Sequence, residues 1–198
     1  TVHIGTDEVY GSIDEGSWTE AEPLIPNSPY SAAKAAAEML VRAYHVTYGL
    51  NISSTRCSNN YGPLQFPEQD IPLFVTNLID GGKVPLYGDG LNVRDWLHVD
   101  DHCRGIALVV KKGAPGESYN IGGGLELNNR ELTEQVLAAM GADWSSVQPV
   151  EDRKGHDRRY SVDDSKLRAM GYEPQHKFAD GLAETVAWYK ANEAWWRP

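Results

Sequence analysis

The chain has 198 residues, 41% of them hydrophobic and 23% charged, a globular composition that excludes a disordered or fibrous class. Its formal net charge of −10 argues against nonspecific nucleic-acid binding, so an anionic ligand must be met by local arginines working against the overall field. Cys57 and Cys103 stand at no metal-ligand spacing, and neither a bilayer-length apolar run nor a signal-peptide pattern appears. No metal and no membrane are therefore expected, and the protein reads as cytoplasmic.

Val2-His3-Ile4-Gly5-Thr6 reads as a short buried strand with a polar tip. It starts directly at Thr1 without an initiating Met, which reads as a fragment or a processed chain. In open α/β sheets ligands sit outside the carboxyl ends of strands, where Thr6, Asp7 and Glu8 fall. Tyr10 to Asn27 contains Gly11, Gly16, Pro23 and Pro26 and reads as a long loop. Ser28 is then an N-cap and Pro29 a first helical residue, strong helix formers follow, and Gly49 is the stop. On that helix Tyr30 and Lys34 lie one turn apart and share a face.

An ammonium held near a phenol favours the phenolate. A free Tyr titrates near 10, so ionisation at pH 7 needs about 4 kcal/mol of differential stabilisation. One exposed lysine does not supply that; a desolvated site with a second cation, such as an oxidised nicotinamide, does. Alone, Tyr-x-x-x-Lys recurs by chance on helix surfaces. The strand tip beside it gives it weight.

Asn51 to Cys57 alternates like a strand and ends in the turn cluster Ser58 to Pro63. Ile71 to Ile79 has helical spacing, stopped by Gly81-Gly82. Val84–Tyr87 and Val93–Val99 read as strands around Gly88-Asp89-Gly90. Asp100 reads as the cap of a helix through Ile106 and Val109, ended by Gly113. Ser118–Ile121 is strand-like and enters Gly122-Gly123-Gly124, which lacks the spacing of a dinucleotide fingerprint and reads as a turn. Asn129 reads as the cap of a helix over Leu132, Val136 and Met140. Glu151 to Asp164 is polar and Arg-rich, a short helix ends at Gly171, and a last helix runs from about Ala179 to Trp195. Strands alternating with helices make this an α/β chain with a mainly parallel sheet in its first third. No G-x-G-x-x-G opens a βαβ unit, so the phosphate-gripping half of a dinucleotide site is not among these residues.

Five stretches carry a family resemblance: Thr6-Asp7-Glu8-Val9-Tyr10-Gly11, Tyr30-Ser31-Ala32-Ala33-Lys34, Arg56-Cys57-Ser58-Asn59-Asn60-Tyr61-Gly62-Pro63, Val93-Arg94-Asp95-Trp96 and Gly155-His156-Asp157-Arg158-Arg159-Tyr160. In this order they resemble the extended short-chain dehydrogenase/reductase family, and within it the dTDP-glucose 4,6-dehydratases, with the chain as their C-terminal portion. The resemblance implies the remaining part of a Rossmann-like doubly wound domain, with the catalytic residues, in residues 1–62, and mainly a smaller α/β nucleotide-sugar-binding domain in 63–198. It implies NAD as cofactor, dTDP-glucose as substrate and a homodimer paired through helices like 28–48.

The acid pair is the discriminating detail. Related epimerases carry a small residue and no acid pair there, while GDP-mannose dehydratases and UDP-glucuronate decarboxylases look more like Ser-Glu. Oxidising the sugar at C4 acidifies the C5 proton, and eliminating water toward C6 needs a base at C5 and an acid at the C6 hydroxyl. By resemblance Glu8 is that base and Asp7 that acid. Tyr30 takes the C4 hydroxyl proton, supported by Lys34 and Thr6, and Tyr30 and Lys34 also contact the cofactor.

For the nucleotide end the resemblance places Asn59 and Arg94 near the diphosphate, with Arg153 and His156 closing over it. Asn120 is a further candidate in a motif that equally shapes a turn. One departure stands out: the family's Pro-Glu-Lys-Leu-Ile-Pro is here Pro67-Glu68-Gln69-Asp70-Ile71-Pro72, which leaves the nucleotide base open. Arg158 and Arg159 read as surface ion pairs, His98, His102 and His176 as non-catalytic, Cys57 as packing, and Trp188, Trp195 and Trp196 as core or interface. The competing readings are another nucleotide-sugar epimerase or dehydratase, and a truncated chain without activity.

Overall fold

The computed structural model describes residues 1–197. β1 (Val2–Thr6) runs into one 3-10 turn over Asp7–Tyr10, and a long loop leads to α1 (Pro29–Tyr48). Then come β2 (Ser53–Cys57), β3 (Asn59–Tyr61), α2 (Asp70–Ile79), β4 (Val84–Tyr87), β5 (Val93–His98) and α3 (Val99–Lys112). β6 (Ser118–Ile121), β7 (Glu126–Asn128), α4 (Asn129–Met140), β8 (Val147–Val150), α5 (Ser165–Ala169), α6 (Phe178–Ala191) and α7 (Glu193–Trp196) follow.

The strands form three sheets, in the orders β1-β2-β6, β3-β5-β7 and β4-β8. The first is wholly parallel, and its register aligns Thr6 with Cys57 and Cys57 with Ile121. Three carboxyl ends therefore finish at one level. Parallel neighbours need a crossover, and α1 supplies it between β1 and β2. The third strand of this sheet comes from Ser118–Ile121, so the first sheet draws on chain beyond residue 62. Parallel pairing to β2 draws that segment back after a crossover of its own.

α1 starts as its sequence demands. Ser28 Oγ accepts from Ser31 N–H at 3.1 Å, and the Ser31 hydroxyl accepts from Ser28 N–H at 3.1 Å, a reciprocal box. Gly49 ends it at φ 67°. Its inner face is narrow, only Ser31, Ala35 and Glu38 being buried, and Ala35 packs on Val9 and Tyr10. Glu38 closes a buried ion pair with Arg56 of β2, whose Nε donates to its two carboxylate oxygens at 2.9 and 3.0 Å.

Under the second sheet α2, α4 and α6 pack a core that includes Ile71, Phe74, Trp96, Leu132, Phe178 and Tyr189. Trp188 and Trp196 lie partly buried against it, while Trp195 is exposed. The glycine turn is required by close approach: a Cβ on Gly123 would stand 1.9 Å from the Trp96 carbonyl oxygen.

Local signals misplaced two caps by one or two residues. His98, not Asp100, caps α3, its Nδ1 accepting from Asp100 N–H at 3.3 Å. Asn128, not Asn129, caps α4, boxed with Glu131 at 2.9 and 2.8 Å. The turn cluster after Cys57 contains β3, which pairs parallel with β5. β7 and β8 were not legible: β7 is three residues long, and β8 carries Pro149 on a half-exposed run. The terminal helix breaks at Asn192, with φ −122° and ψ 41°, so α6 and α7 are separate.

Candidate active site

At the tip of β1, Thr6 turns the chain. Its Oγ1 accepts from Glu8 N–H at 3.3 Å and donates to Asp7 Oδ1 at 3.4 Å, which starts the 3-10 turn and sends the two acids to different places. Asp7 points inward and is 3% exposed, with no partner for Oδ2. Burial, then the charges of Glu8 and Asp95, push its carboxyl up to about 8, against the pull of Arg94. Asp7 is thus a protonated acid at neutral pH. Glu8 is half-buried; burial raises its pKa too, while Arg94 acts in the opposite direction.

Tyr30 stands on the first turn of α1 facing these acids. Burial raises its phenol, followed by the charges of Glu8, Cys57 and Asp7. Lys34, one turn on, reaches back to β1, its Nζ donating to Ile4 O at 3.0 Å. Cys57 has its thiol pushed up to about 12, mainly by burial, and donates to Gly5 O at 3.5 Å. It is no nucleophile at neutral pH.

A cleft of about 470 Å³ opens above Glu8 and Tyr30. Asn59, Arg94, Arg153 and His156 line it as well, so six expected site residues from five stretches of chain share one hollow. Ser28, Glu68, Gln69, Asp70, Tyr87, Asn129, Lys154, Gly155 and Tyr160 complete the lining. Arg94 is 6% exposed and lies flat over Tyr160, Cζ 4.3 Å from the ring centroid. Arg153 lies over Tyr87 at 4.4 Å, with a long contact of 3.9 Å to Asp70. His156 Nδ1 pairs with Asp152 at 2.7 Å. Tyr87 and Tyr160 went unread because a lone tyrosine beside a glycine turn or an arginine pair has no spacing signature.

Four expected residues do not line the cleft. Thr6 and Asp7 are buried beside it, and Lys34 is tied to the Ile4 carbonyl of β1. Asn120 stands elsewhere: fully buried in β6, it accepts from Tyr10 O–H at 2.9 Å and donates to Trp18 O and Asp163 O. Its side chain is thus engaged in ties between loops, in keeping with the alternative that this motif shapes a turn. Arg158 and Arg159 are paired with Asp89 and Glu126. A larger hollow of about 610 Å³ lies beside Arg56, Glu38 and Lys166, but it contains neither the acid pair nor Tyr30, and its buried charges already have partners. Among the described residues His98, His176 and Glu184 bring ligand-type atoms together. The two rings stack face to face at 3.9 Å, which aims their lone pairs past one another rather than at one ion.

A parallel sheet whose first tip carries Thr-Asp-Glu, crossed by a Tyr-x-x-x-Lys helix, defines a Rossmann-like protein of the extended short-chain dehydrogenase/reductase type. The chain belongs to the family described as GDP-mannose 4,6 dehydratase, whose model matches residues 1–185. It is 62% identical over 198 residues to a dTDP-glucose 4,6-dehydratase of Streptomyces antibioticus, covering 100% of this chain and 59% of that protein. The structure of the dTDP-glucose 4,6-dehydratase DesIV from Streptomyces venezuelae, with NAD and TYD bound, is similar at TM-score 0.98 and 67% identity, covering 100% of this chain and 62% of that one. A UDP-glucose 4-epimerase from Thermus thermophilus in complex with NAD is similar at TM-score 0.90 and 33% identity, covering 96% and 64%. The chain thus spans about three fifths of the length of the relatives it matches.

Proposed function

We propose that a protein carrying this chain is an NAD-dependent dTDP-glucose 4,6-dehydratase, forming the 4-keto-6-deoxy sugar and water. The observation that carries this reading is the division of the acid pair: Asp7 buried and protonated, Glu8 facing the cleft beside Arg94. An elimination needs one acid and one base, and the deeper burial of Asp7 than of Glu8 supports Asp7 as the acid and Glu8 as the base. The dTDP-glucose dehydratase relatives at 62 and 67% identity support the substrate class.

The residues around Tyr30 fit the nicotinamide end of the cofactor. Cys57 adjoins the phenol, and beside it Asn60 Oδ1 is buried without a partner, an acceptor for a polar ring substituent. When bound, NAD supplies the hydride acceptor and donor, and a positive ring near Tyr30. Tyr30 removes the C4 hydroxyl proton once the bound cofactor's positive charge offsets the burial and the acids that raise its phenol. Glu8 takes the C5 proton from the ketone. Asp7 protonates the C6 hydroxyl, which leaves as water, and Glu8 then returns a proton to C5. Tyr30 ends one proton richer and Asp7 one poorer, so a single transfer resets the site. Arg94 and Asn59 hold the diphosphate, a guanidinium fork suiting two phosphate oxygens. Arg153 and His156 close over it.

The exposed outer face of α1, with Met39, Leu40, Tyr44 and Tyr48, supports pairing with a second copy. No helix among the described residues is long and apolar enough to cross a membrane. A cytoplasmic reaction is part of this reading, in keeping with a nucleotide-sugar substrate. The test uses the full-length protein with dTDP-glucose deuterated at C4. Dehydration predicts loss of water, the label at C6 and solvent hydrogen at C5. An epimer without water loss would overturn the proposal.

A further inference from the structure

We infer that Asp157 is a positioning residue, which fixes Arg94 in the cleft by anchoring its shelf to the entry of α1. The functional consequence rests on the dehydratase reading above.

Asp157 lies between the cleft residue His156 and the paired Arg158, in a stretch without regular structure. It is 6% exposed, so its carboxylate must be satisfied locally. Oδ1 accepts from Asn27 Nδ2 at 2.6 Å, and Oδ2 accepts from the Tyr160 hydroxyl at 2.7 Å. Its carbonyl accepts from Arg94 Nη2 at 3.0 Å and from Asn92 Nδ2 at 3.2 Å. Arg94 Nη1 donates to Val93 O at 2.7 Å.

These contacts make one assembly. A guanidinium carries five N–H donors. Two backbone carbonyls hold it from the side and the Tyr160 ring holds it flat, which leaves the other donors for the cleft. The ring is itself held by its hydroxyl on Asp157. The other carboxylate oxygen ends on Asn27, next to Ser28, the N-cap of the helix that carries Tyr30. One side chain thus spans from the arginine shelf to the start of α1. The backbone here is sewn to β5 independently, by Val93 N–H to Arg158 O at 2.8 Å and Tyr160 N–H to Val93 O at 3.3 Å. Loss of the carboxylate therefore releases the Tyr160 ring that Arg94 lies over, without unpairing the strand or removing the two carbonyl contacts to the guanidinium. Tyr30 stays in place, because the Ser28–Ser31 box holds its helix.

The bridge needs hydrogen bonds rather than charge. Asp157→Asn keeps both, its amide oxygen accepting from Asn27 and its amide N–H donating to the Tyr160 oxygen. Asp157→Ala keeps neither. In the full-length protein, below the melting temperature of each variant, Asp157→Ala should raise the Kd for thymidine diphosphate and the KM for dTDP-glucose about tenfold, with kcat changed less than about threefold. Asp157→Asn should stay within about threefold of the parent in all three. Arginine-selective NMR of the ligand-free protein gives a second readout: the Arg94 Nη signals should match in the parent and Asp157→Asn, and should shift and broaden in Asp157→Ala as the Tyr160 ring loses its anchor. Unchanged Kd and unchanged Arg94 signals in Asp157→Ala would overturn the inference, as would an Asp157→Asn variant as impaired as the alanine. If the parent neither binds the diphosphate nor turns over the sugar, the activity reading fails, and the Arg94 signals alone decide the positioning role.

Discussion

Replacing Asp7 by Asn should stabilise the protein more and more as the pH rises from 4 to 8. In the unfolded chain the carboxyl titrates at 3.8; in the fold it is held up to about 8. Between those values the folded state keeps a proton that the unfolded state has released, so each step up in pH favours unfolding. The contribution is fully present below 3.8 and is lost as pH rises toward 8. By pH 7 the deficit is about 3 pH units, or about 4 kcal/mol. Asn does not titrate and keeps the oxygen that accepts from Thr6 Oγ1. Glu8 is common to both proteins, so its own raised pKa largely cancels in the difference. Denaturant unfolding of both at pH 4 to 9 should give a difference that grows to pH 8 and then levels off. Carbon-13 titration of the Asp7 carboxyl should give a midpoint near 8, moved downward by Glu8→Gln because the Glu8 charge helps to raise it. A difference independent of pH, or a midpoint in the ordinary carboxylate range, would refute the assignment of Asp7 as the standing acid.

Glu8→Gln in the full-length protein should still show reduced-nicotinamide absorbance on adding dTDP-glucose, yet release little product and place little solvent deuterium at C5; normal turnover would remove Glu8 as the base. Tyr30→Phe should fail earlier, with no such absorbance. Arg94→Lys keeps the charge but loses the planar fork, and should weaken thymidine diphosphate binding measured by calorimetry; equal affinity would take it out of the site. Glu38→Ala leaves Arg56 buried without its carboxylate and should cost about 3–5 kcal/mol, read as a lower denaturation midpoint. Residues 1–198 expressed alone should bind NAD weakly, since no glycine-rich pyrophosphate turn lies among them; affinity equal to that of a full-length relative would refute this.

The sequence by itself determined what neighbours within a turn decide. Ser28, Pro29 and Gly49 bound α1, and that helix places Lys34 one turn beyond Tyr30, because capping and helical spacing are local. The Thr6-Asp7-Glu8 tip, the turn at Gly122-Gly123-Gly124 and the arginine-rich stretch were legible for the same reason. What partners would meet was not. Asn120 in a turn motif and Arg94 in a strand are both polar side chains in short apolar runs; only the packed fold sends one into a loop tie and the other onto Tyr160 at the cleft. Ser118–Ile121 joined the first sheet because parallel pairing is chosen by distant surfaces that fit, which no window of sequence contains. The different burial of two adjacent acids also came from tertiary structure: burial sets the cost of a charge, and at a strand tip one residue points into the protein while the next lines the cleft.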